Sequence, residues 1–182
     1  MTAPKIAFIC GSLRQGSIND MLERALMKRA SLRGADVSKI DLGNYDLPLY
    51  HGDLETPPDV KKLTDHMSAF DGIIIVTPEY NGSLPPVLKN AIDWTSTLGT
   101  DHFTGPVYGI ASCTPGPMSG IMVMRQLNYI LMRVGAVVVP TQVGTGNARQ
   151  AFNEKGDLVA PVSSGLADKM LDQLLTAITG RA

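Results

Sequence analysis

Five short apolar runs rich in valine and isoleucine recur along the chain, and each has the length and composition of a buried β-strand. The runs span Lys5 to Cys10, Asp36 to Asp41, Gly72 to Thr77, Val107 to Ser112 and Ala136 to Val139. Polar residues, glycine and proline separate the runs from one another. We therefore predict five separate strands.

Apolar residues at helical spacing occupy the segments between the predicted strands. The clearest helical faces are formed by Leu22, Ala25, Leu26 and Ala30, and by Leu166, Met170, Leu174 and Ile178. Proline is tolerated in the first turn of a helix, so Pro57-Pro58 and Pro85-Pro86 predict helix starts. Gly34 predicts a helix end, because glycine commonly terminates helices.

The alternation of strands with helices predicts an α/β protein whose parallel sheet is covered by helices on both faces. Five such units fit the doubly wound, flavodoxin-like arrangement with strand order 2-1-3-4-5. We expect residues 1-182 to form a single domain, because 182 residues with 44% hydrophobic content suffice for one sizeable core. Ligands bind such sheets beyond the carboxyl ends of the strands, so the loops after strands one, three and four are predicted to form the site.

The charge balance favours a small-molecule partner. The 16 basic and 17 acidic residues give a formal net charge of -1 without a long run of one sign, which argues against nucleic acid and membrane surfaces. No apolar run reaches the ~20 residues of a membrane helix and no signal-peptide pattern is seen, so we expect a cytoplasmic protein. Cys10 and Cys113 form no CxxC pair, which argues against a zinc site or a disulfide framework.

The first loop, from residue 11 to 19, has the composition of a phosphate site. Gly11 and Gly16 have the spacing of P-loop glycines, but Ser17 stands where the lysine is required. Leu13 occupies the second glycine position of a dinucleotide fingerprint. A terminal phosphomonoester remains, and its donors would be the Ser12 and Ser17 hydroxyls, the Arg14 guanidinium, the Asn19 amide and main-chain N–H groups at a helix N-terminus.

Two other interpretations of this loop stay open. Ser17 or Asn19 could simply cap the helix, with Arg14 solvated. Low-molecular-weight tyrosine phosphatases also place a cysteine and an arginine after the first strand of a similar sheet, in a C-x5-R loop. Here only three residues separate Cys10 from Arg14 and the sequence contains no Asp-Pro pair, so Cys10 is better explained as a small buried hydrophobe.

The second loop, from residue 77 to 86, has the sequence TPEYNGSLPP. Prolines and a glycine make it rigid, and it places a carboxylate, an aromatic ring and an amide at the switch point of the sheet. This loop could be purely structural, a rigid connection in which Asn81-Gly82 forms the turn. It could also be functional, because loops held by a rigid scaffold are common sites of function. The third loop, from residue 112 to 120, has the sequence SCTPGPMSG.

The combined pattern resembles the NADPH-dependent FMN reductase family, whose members include quinone, chromate and azo-dye reductases. The matching segments are GSLRQGSIN at 11–19, PEYNGSLPPVLKNAIDW at 78–94 and, more loosely, NARQAFNEKGDL at 147–158. The resemblance implies that the FMN phosphate is held by Ser12, Arg14, Ser17 and Asn19. The isoalloxazine ring would lie along Pro78, Glu79, Tyr80, Asn81 and Gly82, and the third loop would complete the pocket at Ser112, Thr114 and Gly116. Pro117 and Met118 depart from the glycine-rich Ser-Pro-Gly pattern of the family.

The resemblance implies an FMN-dependent enzyme that transfers hydride from NAD(P)H, as co-substrate, through flavin to quinones, azo compounds, chromate or free flavin. Main-chain N–H groups of residues 80–82 would stabilise negative charge on the reduced ring. The three histidines fall outside the loops, so we expect structural or surface roles for them. The alternative is a flavodoxin-like electron carrier without its own nicotinamide site, although such carriers tend to be strongly acidic.

The segment from residue 119 to 136 is apolar nearly all round its helical circumference. It is either a core helix or a subunit interface, with Arg125 as an anchor and with adaptable contacts from Met122, Met124, Tyr129 and Met132. Related reductases are dimers or tetramers whose subunits help to enclose the flavin. The resemblance therefore favours a homo-oligomer.

Overall fold

The computed structural model describes residues 2–181, and strands alternate with helices along the chain. The strands are β1 (Lys5–Cys10), β2 (Asp36–Ile40), β3 (Gly72–Val76), β4 (Val107–Cys113), β5 (Val137–Val138) and β6 (Val143–Thr145). The helices are α1 (Ile18–Leu32), α2 (Pro58–Ser68), α3 (Pro86–Ser96), α4 (Asp101–Thr104), α5 (Ile121–Arg133), α6 (Ala148–Ala151) and α7 (Pro161–Thr179), and a 3-10 turn spans Leu42–Asn44.

The strands pair in parallel in the order β2-β1-β3-β4-β5, which confirms the predicted arrangement. In the register of the sheet, Cys10 lies opposite Val76, and Val76 lies opposite Ala111. The carboxyl ends of β1, β3 and β4 therefore lie side by side at one edge of the sheet.

The fifth strand differs from its prediction. A single strand from 136 to 139 was expected, but β5 contains two residues, which pair with Val107 and Tyr108. The chain then leaves the sheet at Pro140, which has no N–H to donate, and the N–H of Thr141 bonds to the Gln173 side chain at 3.1 Å. Pairing with β4 resumes at β6, opposite Ala111 to Cys113. β6 escaped prediction because a three-residue strand containing glycine and threonine has no hydrophobic periodicity.

The core forms two apolar layers, one on each face of the sheet. Side chains alternate along a strand, so Ile74 and Val76 join the layer under α1 and α7, whereas Ile73 and Ile75 join the layer under α2, α3 and α5. All five residues of β3 are buried, as expected of a central parallel strand. Within residues 2–181, no helix is both long enough and apolar enough to cross a membrane.

Helix ends follow the predicted signals. Pro58 and Pro86 each begin a helix, and α1 ends at Leu32, two residues before Gly34, whose φ is +85°. Ser17 precedes α1, and its Oγ accepts a hydrogen bond of 3.0 Å from the N–H of Asp20. The capping interpretation of Ser17 is thereby confirmed.

An ion pair between a buried carboxylate and a partly exposed lysine joins α1 to β2 near the first loop. The Glu23 side chain has 0% exposure, and its Oε2 lies 2.7 Å from the Nζ of Lys39. Burial raises the pKa of Glu23, and the neighbouring lysine only partly offsets this effect. Since the folded state holds the proton more tightly than the unfolded chain, this group makes folding less favourable as pH rises above its ordinary pKa of 4.5.

The pH dependence of stability tests this assignment. In Glu23→Gln the side chain no longer ionises, so the stability of the variant relative to the parent is expected to increase as pH rises above 4.5 and then to level off. Urea unfolding of both proteins between about pH 4.5 and 8 measures the difference. Glu154→Gln, at an exposed position, is the matched control and is expected to show no such trend. A relative stability of Glu23→Gln that falls with pH would contradict the assignment.

Candidate functional site

The three predicted loops enclose a cavity of about 240 Å³ at the carboxyl edge of the sheet. Its walls come from the first loop with the start of α1, from the second loop, and from the third loop. A pocket that encloses a whole small ligand typically measures ~300 to 1,000 Å³. This cavity is therefore somewhat smaller than one that encloses a whole small ligand.

Most of the predicted site residues meet in this cavity. Its lining includes Ser12, Arg14, Ser17, Asn19, Pro78, Glu79, Tyr80 and Thr114. The walls also include Ile18, Cys113 and Pro115, which sequence analysis missed. Asn81, Gly82, Ser112 and Gly116 lie outside the lining. Three larger grooves among the described residues lie between β5 and α7, between α1 and α7, and at the amino ends of the strands. None of the three is lined by a glycine-rich loop that opens a long helix.

Unpaired donors of the first loop suit an anion. The main-chain N–H groups of Ile18 and Asn19 form the first turn of α1 and so have no partner within the helix. Arg14 is exposed, and within residues 2–181 its guanidinium makes no hydrogen bond or ion pair. A helix N-terminus with free N–H groups and an adjacent guanidinium is a favourable site for a phosphate dianion.

Gly11 sets the path of this loop. Its N–H continues the sheet by bonding to the Val76 carbonyl at 2.8 Å. A Cβ on Gly11 would lie only 2.6 Å from the Oγ1 of Thr77, so a larger residue would push the first loop away from the second. The starting glycine of the motif is thus explained by a close approach between two strand ends.

Asn19 connects α1 to the end of β4. Its Nδ2 donates to the Cys113 carbonyl at 2.9 Å, and its Oδ1 accepts from the Cys113 N–H at 2.9 Å. The side chain is buried, so these two bonds occupy both ends of the amide. The side-chain amide that was proposed from the sequence as a phosphate donor is thus engaged with the end of β4, whereas the main-chain N–H of Asn19 belongs to the first turn of α1.

Neither cysteine has the properties of a phosphatase nucleophile. Burial raises the pKa of Cys10 to about 11 and that of Cys113 to about 12. Both thiols therefore stay protonated at neutral pH, whereas nucleophilic cysteines require a lowered pKa. The structure thus agrees with the interpretation of Cys10 as a buried hydrophobe.

The second loop contains a tight hairpin. Tyr80 and Ser83 exchange two main-chain hydrogen bonds of 3.0 Å, and φ is +52° at Asn81 and +78° at Gly82. Positive φ at both central residues defines a type I′ turn, for which Asn-Gly is the preferred pair. The Tyr80 N–H is thus engaged, whereas the N–H groups of Asn81 and Gly82 bond to no group among residues 2–181.

Glu79 caps α5 rather than standing free in the cavity. Its Oε2 accepts from the N–H groups of Met122 and Val123 at 3.0 and 3.1 Å. Gly120, the residue before α5, offers no side-chain cap, so the carboxylate satisfies donors that would otherwise be unpaired. The second loop is therefore tied to the helix that follows the third loop.

The third loop packs against the segment GTGNA at 144–148 and is hydrogen-bonded to it. The Asn147 N–H bonds to the Gly116 carbonyl at 3.0 Å, and the Thr114 N–H bonds to the Thr145 carbonyl at 2.9 Å. A Cβ on Gly146 would lie 2.8–3.0 Å from atoms of the third loop, so only glycine allows this contact. A glycine-containing motif that lacks the dinucleotide fingerprint thus has a packing role.

Ser112 and Gly116 occupy different environments. Ser112 is fully buried in β4, and a Cβ on Gly120 would meet its Oγ at 2.0 Å, so its hydroxyl lies behind the turn rather than at the cavity. Gly116 has open space around its Cα, which leaves room for a ligand beside the loop. The predicted contact at Gly116 stays a prediction, whereas Ser112 is placed to support the third loop from within.

Comparisons with known proteins agree with this geometry. The quinone reductase of Escherichia coli K12 is 32% identical over 176 residues, which cover 93% of this chain and 91% of that protein. The 2-hydroxy-1,4-benzoquinone reductase of a Burkholderia species is 46% identical over 98 residues, about half of each chain. Among solved structures, the flavoenzyme NAD(P)H:(acceptor) oxidoreductase of Paracoccus denitrificans is similar with a TM-score of 0.79 and 30% identity, covering 96% of this chain and 98% of that one.

The family model described as NADPH-dependent FMN reductase matches residues 4–150. This range contains all three loops and the segment 144–148, against which the third loop packs. The match therefore spans the elements that build the cavity and all six strands of the described sheet. On this evidence the chain belongs to the NADPH-dependent FMN reductase family.

Proposed function

We propose that the chain is an FMN-dependent NAD(P)H oxidoreductase with quinones as its main acceptors. The observation that carries this proposal is the cavity at the meeting of the three loops, whose walls include Arg14 and the first turn of α1 with the unpaired N–H groups of Ile18 and Asn19. These groups fit the phosphomonoester of FMN, which is a terminal dianion. The names of the quinone reductase relatives support the choice of acceptor.

The second loop would hold the flavin ring. Its hairpin adjoins the cavity through Pro78, Glu79 and Tyr80, and Tyr80 is 47% exposed, so it offers an aromatic surface beside the opening. The free N–H groups of Asn81 and Gly82 would stabilise negative charge on the reduced ring. The sequence predicted N–H donors from residues 80–82. Only those of Asn81 and Gly82 are proposed here, because the Tyr80 N–H is already bonded to Ser83.

FMN, when bound, would supply the redox chemistry that links oxidation of NAD(P)H to reduction of the acceptor. The protein then needs to bind and orient rather than to provide an acid–base pair. Burial lowers the pKa of His102, which packs against Phe103 in α4, so this histidine stays neutral within the core. Azo compounds and chromate, which the family resemblance implies, are proposed as further acceptors.

A homo-oligomer is part of the proposal, and α5 supplies the surface. Its exposed stripe consists of Met122, Arg125, Tyr129 and Met132. The spacing alternates between three and four residues, which is the pattern of helix-to-helix packing. Tyr129 and Met132 are 69% and 62% exposed, whereas Met124 is buried at 6%, so the expectation that Met124 joins an interface is wrong. An exposed apolar stripe of this kind favours a second copy of the chain as partner.

The first experiment follows the flavin spectrum without oxygen. The protein reconstituted with FMN is expected to lose its visible flavin bands when NADPH is added, and to regain them when a quinone follows. Bound FMN that stays oxidised after NADPH and NADH would support the electron-carrier alternative instead. Failure to bind FMN would contradict the proposal as a whole.

The phosphate contact is tested by Arg14→Ala. The change removes a charge-assisted hydrogen bond of about 1.5–3 kcal/mol. FMN affinity measured by fluorescence titration is therefore expected to fall about ten- to a hundred-fold. Arg149→Ala, which removes another exposed arginine, is the matched control. Riboflavin lacks the phosphate, so its affinity is expected to be unchanged, and an equal loss for both flavins would contradict the phosphate role.

The oligomer is tested by sedimentation. The parent is expected to sediment as a multiple of the 19.5 kDa chain. Met122→Glu combined with Tyr129→Glu places charges in the stripe and is expected to shift the population toward 19.5 kDa. Leu32→Glu changes a residue on α1 that is 79% exposed and serves as the control. A parent that is already monomeric would overturn this part of the proposal.

A further inference from the structure

Gln126 makes an unusual pair of contacts for an exposed side chain. Its Oε1 accepts from the Ser83 Oγ at 2.8 Å and from the Leu84 N–H at 3.0 Å. An amide oxygen has two lone pairs, so both are in use. The Oε1 atom of Gln126 thus joins α5 to two residues that lie 43 and 42 positions earlier in the chain.

These contacts are made on the side of the hairpin that follows the Asn81-Gly82 turn. Glu79, on the first side, is fixed by the N-terminus of α5, and Ser83 and Leu84, on the second side, are fixed by Gln126 one turn further along the same helix. Asn81 and Gly82 lie between the two fixed sides. One helix therefore holds both ends of the turn whose N–H groups are free.

We propose that Gln126 is a positioning residue that fixes the direction of the Asn81 and Gly82 N–H groups toward the flavin ring. The inference rests on the proposed function, which puts the ring against the second loop. Donors held rigidly stabilise developing charge without reorganising when the charge appears. Loss of the Gln126 bonds frees one side of the turn, so the reduced ring loses stabilisation while the phosphate contacts of the first loop are unaffected.

The location of Gln126 separates this role from substrate contact and from core packing. Gln126 does not line the cavity, and its neighbours Val123 and Leu127 supply the buried face of α5. Replacement by methionine keeps the length of the side chain and removes the acceptor. The helix is thus expected to fold normally while the hairpin loses its brace.

The experiment compares Gln126→Met, Ser83→Ala, the double variant and the control Gln150→Met, which changes an exposed glutamine in α6. The first readout is the two-electron midpoint potential of bound FMN. Gln126→Met is expected to weaken binding of reduced relative to oxidised FMN about ten-fold, or ~30 mV toward lower potential. That is less than the hundred-fold or greater effect of removing such a donor outright, because the N–H groups remain.

A double-mutant cycle shows whether Ser83 acts through Gln126. Ser83→Ala alone is expected to shift the potential part of the way, and to add nothing in the Gln126→Met background.

The second readout needs no flavin. Hydrogen exchange of the Leu84 amide is expected to accelerate in Gln126→Met, with strand amides and the control variant unchanged.

The outcomes distinguish the inference from the proposed function. Faster exchange at Leu84 with an unchanged potential would overturn the positioning role and leave the proposed function intact. Additive shifts in the double variant would also overturn it, since Ser83 would then act independently. A parent protein that binds no FMN would overturn both the proposed function and the positioning role. A lower potential of bound FMN in Gln126→Met, with the affinity for oxidised FMN unchanged, supports the positioning role.

Discussion

The parallel pairing of β1 with β3 and of β3 with β4 is the interaction on which the site depends. The ladder continues beyond the strand ends, through the Gly11 N–H to Val76 and through the Thr77 N–H to Ala111. Two loops distant in sequence therefore start from fixed positions beside each other. The conformational entropy of placing them is offset by burial of the sheet rather than by contacts within the site.

Helix α5 links the remaining parts of the site. Its buried face packs on the sheet, its N-terminal N–H groups bind Glu79, and the Gln126 side chain holds the far side of the hairpin. The exposed stripe lies on the same helix. The helix that carries the stripe is therefore also the element that holds the second loop in place.

Polar side chains around the cavity are largely engaged with the protein itself. Ser17 caps α1, Asn19 binds the end of β4, and Glu79 caps α5. The groups left to donate to a ligand include Arg14, the Ser12 hydroxyl and several main-chain N–H groups. Main-chain donors have fixed directions once the backbone is held, which suits a cofactor whose phosphate and ring must stay in one orientation.

Sequence alone determined the α/β class and the three loops, because hydrophobic periodicity and turn residues act locally. The strand order was expected only because five alternating units fit a known arrangement, and the structure confirms it. It also located the Asn81-Gly82 turn, since the pair is preferred wherever two successive residues need positive φ. Only the tertiary structure decided what each polar side chain binds. Cys113, the partner of Asn19, lies 94 residues away, and Leu84, a partner of Gln126, lies 42 away. No local pattern marks such pairs, because they form only when the packed sheet brings distant segments together.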